Sequence, residues 1–207
     1  MEGLTKQLIV FPLSSPVLWW EFVSELMKIY TGQGDKGQTF LFSGERVGKD
    51  SLRVDTYGSL DELNSFLGVA RSLCLNEKVR ETLSLLQNQL FKAGTDLATK
   101  ESSKHQVSRI QERDWRELES LIDLLQEELP PLKNFILPTG IPSSAFLHLA
   151  RTVCRRTERL LTALIRKEEL NSELVVYLNR LSDLLFVLAR YENVLEKGQE
   201  ELWQKDA

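Results

Sequence analysis

Four arginines and a glutamate stand within nine residues of this chain: Arg151, Arg155, Arg156, Glu158 and Arg159. At 3.6 residues per turn, Arg151, Arg155, Glu158 and Arg159 share one broad arc of a helix. Leu147, Ala150, Cys154, Thr157, Leu161 and Leu164 follow the rhythm of an adjacent, mostly apolar stripe. A helix that aims guanidinium groups from the edge of its buried stripe can bind an anion in a cleft. The planar fork of Arg grips phosphate or carboxylate oxygens two at a time. The same spacing also fits a solvated face laced by Glu158 with its arginine neighbours.

Three further stretches offer polar groups where a helical protein would otherwise carry a plain face. Glycine is densest over 29–49, in Thr31-Gly32-Gln33-Gly34-Asp35-Lys36-Gly37-Gln38-Thr39 and on to Lys49. Such spacing predicts neither helix nor regular strand, but a loop whose backbone N–H groups can turn inward on phosphate oxygens. A surface turn would look the same, and the pattern is not a Walker loop. Asp61-Glu62-Leu63-Asn64 is the second stretch and Tyr177-Leu178-Asn179-Arg180-Leu181-Ser182-Asp183 the third. Asn179 and Asp183 lie one turn apart and can face one cleft. Taken singly, Asp183 could pair with an arginine and Asn179 could satisfy a backbone group. Taken with the loop and the arginines, they point to a site for a nucleoside triphosphate. His148, one turn before Thr152, reads equally as a bundle histidine or a site residue.

The elements that must position these groups are helices. Periodicity predicts them over about 59–74, 77–99, 108–129, 144–168 and 172–196, with Asn76, Ser108, Ser143 and Asn171 as starting signals. Pro130-Pro131 stops the third, and residues 135–142 read as a short extended connector. Leu60, Leu63, Leu67 and Ala70, then Val79, Leu83, Leu86, Leu90 and Ala93, and finally Leu174, Leu178, Leu181, Leu185 and Leu188 form apolar stripes. Five helices with short connections predict an all-α fold, a five-helix antiparallel bundle behind an N-terminal Gly-rich nucleotide-binding loop.

Bulk composition narrows the function classes. A length of 207 residues suits one domain with a sizeable core. A formal net charge of −4 argues against a nucleic-acid partner, so any polyanion site must be local. Cys74 and Cys154 sit in apolar helical pattern and make neither a disulfide framework nor a metal site, so a cytoplasmic setting is expected. Pro12 and Pro16 interrupt the apolar N-terminal residues, and Glu21 and Glu25 follow, so no membrane span or targeting leader is expected there. Residues 1–26 are read as an extension outside the chemistry, 27–198 as the catalytic domain and 199–207 as a tail.

Five motifs in series resemble the PduO-type corrinoid adenosyltransferases. They are Ile29-Tyr30-Thr31-x-x-Gly34-Asp35-Lys36-Gly37, Arg53-Val54-x-x-Tyr57-Gly58-x-x-Asp61-Glu62-Leu63-Asn64, Phe135-x-x-Pro138, Leu147-His148-x-Ala150-Arg151-Thr152-x-x-Arg155-Arg156-x-Glu158-Arg159, and the Tyr177 to Asp183 stretch. The resemblance runs from about Lys28 to Tyr191. It implies transfer of the 5′-deoxyadenosyl group of ATP to cob(I)alamin, with Mg²⁺ as helper, in a homotrimer whose sites lie between subunits. A cobalamin reductase and an adenosylcobalamin-dependent enzyme are the further partners it implies. By matching positions, Thr31, Gly32, Gln33, Gly34, Asp35, Lys36, Gly37, Thr39, Phe40 and Lys49 would wrap the triphosphate. Arg155, Arg156, Thr157, Glu158, Arg159 and Asn179 of the adjacent subunit would hold phosphates, ribose and adenine. Arg151 would pair with Asp61 across the interface, and Phe135 would stand beside the corrin. Gly32 departs from a basic residue common in the family, and Thr139 from a Pro-Gly-Gly connector. A nucleotide-gated carrier of adenosylcobalamin and a phosphotransferase or NTPase are the competing readings.

Overall fold

The computed structural model describes residues 30–204, so the expectation for 1–26 falls outside the described residues. Contacts divide the chain after Lys36. Within residues 30–36, Asp35 N–H donates to Gly32 O at 3.3 Å, and Gly32 takes a positive φ of 69°, the turn conformation that glycine adopts without strain.

The unit from Gly37 onward begins with two short strands, β1 (Gln38–Phe40) and β2 (Arg46–Gly48), paired antiparallel with Thr39 opposite Val47. This corrects the expectation of an irregular loop. The glycines fall at the edges, where Gly37 and Gly44 take positive φ, and leave Thr39, Phe40 and Val47 free to pair. The turn is tied down by Phe42 N–H donating to Ala98 O at 3.0 Å.

Five α-helices follow among the described residues: α1 (Leu52–Leu73), α2 (Glu77–Leu97), α3 (Glu112–Glu127), α4 (Pro142–Ile165) and α5 (Glu173–Leu195). The anticipated stripes point inward. All six stripe residues of α4, from Leu147 to Leu164, and all five of α5 are buried. The core is built where α1 and α5 pack on α4, with α2 behind α1 and α3 against α5. Both cysteines are free and buried. No helix among the described residues is long and apolar enough to cross a membrane.

The boundaries differ from the predicted ones for tertiary reasons. α1 starts seven residues early, at Leu52, behind the cap Ser51, whose Oγ accepts Val54 N–H at 3.4 Å. Gly58 in a helix interior costs about 1 kcal/mol, but the buried Arg53 anchors that first turn. It donates to Leu97 O at 2.5 Å and to Glu168 Oε2 at 2.6 Å. α3 starts late because Ile110 N–H is drawn to Asp96 Oδ2 at 2.9 Å. Gln111, not Ser108, then makes the cap, its N–H donating to Asp114 Oδ2 at 2.7 Å. Ser143 does not cap α4. Pro142 supplies the first turn, where its missing N–H is not needed, and the Ser143 hydroxyl donates to Glu192 Oε1 at 3.2 Å. Asn171 stands one residue outside the cap of α5, though its Oδ1 accepts Glu173 N–H at 3.1 Å.

Within the stretch read as a tail, residues 201–203 pair with the connector before α4. Leu137 N–H donates to Glu201 O and Trp203 N–H to Phe135 O, both at 2.8 Å, and Ile136 bridges to Leu202. The connector before α4 is thereby paired with the far end of the chain.

Candidate functional site

α4 carries a ladder of arginines because its apolar stripe occupies one face and leaves the i, i+4 edge beside it for charge. Arg155, Arg156 and Arg159 are exposed and Arg151 half-buried. Three depressions open along this ladder. The outermost, about 330 Å³, is lined by Arg155, Glu158, Arg159, Thr162, Ala163 and Arg166. Arg166, at the C-terminal cap of α4, was not anticipated, because it lies just beyond the periodic pattern. Glu158 is held in place by Asn179, whose Nδ2 donates to Glu158 Oε1 at 3.1 Å. Arg180 in turn donates to Asn179 Oδ1 at 2.8 Å and to Glu119 Oε1 at 2.7 Å. Arg156 forms an ion pair with Glu62 of α1.

Thr157 must be withdrawn from the candidate set. It is fully buried, and its hydroxyl donates to Val153 O at 3.0 Å. The residue belongs to the core stripe, where the sequence pattern also placed it.

The middle depression, about 440 Å³, lies between α4, α5 and α3 and is lined by Arg151, Arg155, Arg180, Glu119, Asp123 and Asp183 among others. Asp183 forms no ion pair within 4 Å among the described residues. Burial raises its carboxyl pKa, against the lowering pull of Arg180 and Arg155. The third depression is larger, about 1070 Å³, and mostly apolar, with Phe135, Ile136, Phe186, Leu202, Trp203 and Arg151 in its wall. Phe135 is 78% exposed into it, and the Trp203 ring meets Phe135 edge-on with centroids 6.3 Å apart. Sequence reasoning missed Trp203. The signal available was a Leu-Trp pair isolated in a charged tail.

Arg151 and Phe186 line both the charged and the apolar depression. Burial, reinforced by Arg155, lowers the pKa of Arg151. Its Nε is sealed from solvent and has no hydrogen-bond partner. Asp61 is exposed on α1, and no Asp61–Arg151 bond is made within the chain.

The glycine-rich stretch is arranged as two pieces. In residues 30–36, Gln33 N–H donates to Thr31 Oγ1 at 3.4 Å. From Gly37 on, Lys49 N–H donates to Gly37 O at 2.9 Å and closes the base of the hairpin, while Lys49 itself is exposed. Arg46 stacks over the exposed Phe40 ring at 5.8 Å. Among the described residues, none of the hairpin's hydrogen bonds or ion pairs reaches α4; they go to the end of α2 and to Lys100.

The model of the cobalamin adenosyltransferase family matches residues 29–192. A corrinoid adenosyltransferase of Bacillus subtilis (strain 168) is 45% identical over 171 residues, taking in 81% of this chain and 87% of the relative. One from Citrobacter freundii is 44% identical over 168 residues, 81% of this chain and 96% of that one. Among solved structures, a variant PduO-type ATP:corrinoid adenosyltransferase from Lactobacillus reuteri, complexed with cobalamin and ATP, aligns with a TM-score of 0.82 at 40% identity. The alignment covers 86% of this chain and 100% of that chain.

Proposed function

From the premise that the chain belongs to the cobalamin adenosyltransferase family, we propose that it transfers the 5′-deoxyadenosyl group of ATP to cob(I)alamin. The products are adenosylcobalamin and inorganic triphosphate. The observation that carries this reading is the shared wall of Arg151 and Phe186. It places a mostly apolar cleft of about 1070 Å³ directly against an arginine-lined one.

Co(I) is itself a strong nucleophile, so no general base is required. Its electron pair forms the Co–C5′ bond as the C5′–O5′ bond breaks, and the triphosphate departs with the bonding pair. The tasks left to the protein are to align C5′ with cobalt, to stabilise the departing charge and to exclude water. Arg155, Arg156 and Arg159 supply charge-assisted donors for the triphosphate. Glu158, fixed by Asn179, suits ribose hydroxyls. Phe135 and Trp203 form a dry wall on the corrin side. The described residues contain no cluster of three His, Cys, Asp or Glu able to hold a metal ion. A Mg²⁺ would sit on the triphosphate's oxygens, with one or two carboxylates of the protein beside them at most.

The nucleotide site is completed by a second copy of the chain in a homotrimer. Thr31, Gly32, Gln33, Gly34, Asp35, Lys36, Gly37, Thr39, Phe40 and Lys49 of one subunit close over the arginine ladder of the next, and Asp61 meets Arg151 across the same boundary. The hairpin's lack of any bond to α4 in its own chain supports this arrangement. Residues 1–26 take no part in the chemistry, so a chain begun at Met27 keeps full turnover. A cobalamin reductase delivers Co(I) in the cytoplasm, and an adenosylcobalamin-dependent enzyme takes the product.

The test is an anaerobic reaction of chemically reduced cobalamin, ATP and Mg²⁺, with the phosphate product identified. Adenosylcobalamin with intact triphosphate is expected. ATP binding with no cobalt–carbon bond would make the protein a carrier, and release of phosphate or pyrophosphate would make it an NTPase. Subunit sharing is checked by mixing Lys49→Ala and Arg155→Ala chains, each inactive alone. Regained activity is expected, and its absence after exchange would place both residues in one subunit's site.

A further inference from the structure

Two sealed polar atoms without partners lie one turn apart on α4, one of them on Arg151, which walls both clefts. His148 precedes Arg151 by three residues on α4 and is 3% exposed. Its ring lies against Phe186, with centroids 5.9 Å apart and a tilt of 55°. Nδ1 of His148 has no hydrogen-bond partner, and neither has Nε of Arg151. The chemistry of the two is complementary. A guanidinium Nε–H can only donate, and a neutral imidazole with its proton on Nε2 offers Nδ1 as an acceptor. Positions i and i+3 of a helix are lateral neighbours. One bond between these atoms, or one water between them, satisfies both orphans at once.

We propose that His148 is a positioning residue acting through Arg151: its unprotonated Nδ1 receives the Arg151 Nε–H, directly or through one water, and fixes the guanidinium in the wall between the two clefts. Anchoring through Nε leaves the two Nη groups free to turn outward, one edge toward each cleft. The inference rests on the reading of Arg151 as a site residue. It requires a neutral imidazole, because a protonated one would lose its acceptor and place a second cation beside Arg151. Burial, with Arg151 as the next cause, holds the His148 pKa down to about 4, while Glu200 from the paired tail pulls the other way. Phe186, which faces the ring from α5, does not titrate.

The closing experiment uses the full chain and four substitutions. Asn places an acceptor where Nδ1 stands; Leu keeps the bulk and offers none. His148→Leu is expected to lower kcat about tenfold, the size of one lost hydrogen bond to a charged group, with an unchanged melting temperature. His148→Asn should recover to within about threefold of the parent on the same scale. In an Arg151→Ala background, His148→Leu should change nothing further, since its target is gone. A second readout is free of turnover. The chain has only two histidines, so ¹⁵N resonances of His148 are assigned by comparison with the variants. Nδ1 should show the acceptor form at pH 7 and shift on Arg151→Ala. Equal loss in the Asn and Leu variants, additivity with Arg151→Ala, or an unmoved Nδ1 resonance would overturn the proposal. Should His148→Leu unfold, the Asn variant against His148→Gln, whose amide reaches instead toward Nε2, makes the same distinction. An Arg151→Ala chain with full activity would overturn the underlying site reading instead.

Discussion

The clefts on either side of Arg151 are built on opposite principles. On the charged side, Arg155 and Arg159 are exposed and make no ion pair among the described residues. Arg155 and Arg159 point into open depressions from a helix whose stability comes from its other face. On the apolar side, the wall is made by backbone pairing between the connector at 135–137 and residues 201–203. That pairing keeps an aromatic pair in place although Phe135 is largely exposed. Charge can be presented by a rigid helix alone, because long arginine side chains reach out from it. An apolar wall has to be closed by something, and here residues 201–203 close it.

Substitutions can break this contrast at either side. The largest effect is expected from Arg155→Ala, which under the proposed function removes a donor from the departing triphosphate and should cut kcat by about 10²–10³-fold. Circular dichroism should show unchanged helicity, because the side chain is exposed; an unfolded variant would mean that the arginine is structural. Phe135→Ala should lower kcat/KM for the corrinoid by about tenfold through lost apolar contact, with KM for ATP unmoved. A matching rise in the ATP KM would show that the clefts are not separable. Trp203→Ala should repeat that pattern at about threefold, since only the edge of its ring meets Phe135. Thr157→Val sharpens the contrast from the core. Activity should stay within about twofold while stability falls by about 1 kcal/mol for the lost hydroxyl bond. A large loss of turnover with an intact melting temperature would restore Thr157 to the site.

The stripes of α1, α2, α4 and α5 were legible because burial imposes a helical period that needs no tertiary knowledge. The start of α1 was not. The apolar stripe begins only at Leu60, and the first turn is held instead by an ion pair between Arg53 and Glu168, 115 residues apart. The hairpin was hidden for a different reason: dense glycine masks a three-residue strand when the partner strand is just as short. In the site, the arginine ladder was visible from its i, i+4 spacing, and the same stripe that placed Thr157 in the core should have excluded it as a ligand. Trp203 left only its Leu-Trp pair as a signal, and the unpartnered atoms of His148 and Arg151 left none. The first depends on a strand pairing across 68 positions between Phe135 and Trp203. The second is a property of atoms sealed by neighbours on other helices.

The pairing of the connector with residues 201–203 has a consequence for the order of events during synthesis. Four helices and most of the arginine ladder can assemble while the chain is still being made. The apolar wall cannot, because residues 201–203 are made only after all five helices and the connector they pair with. A nascent bundle would therefore present its exposed arginines well before the connector at 135–137 meets its partner strand and the apolar wall closes.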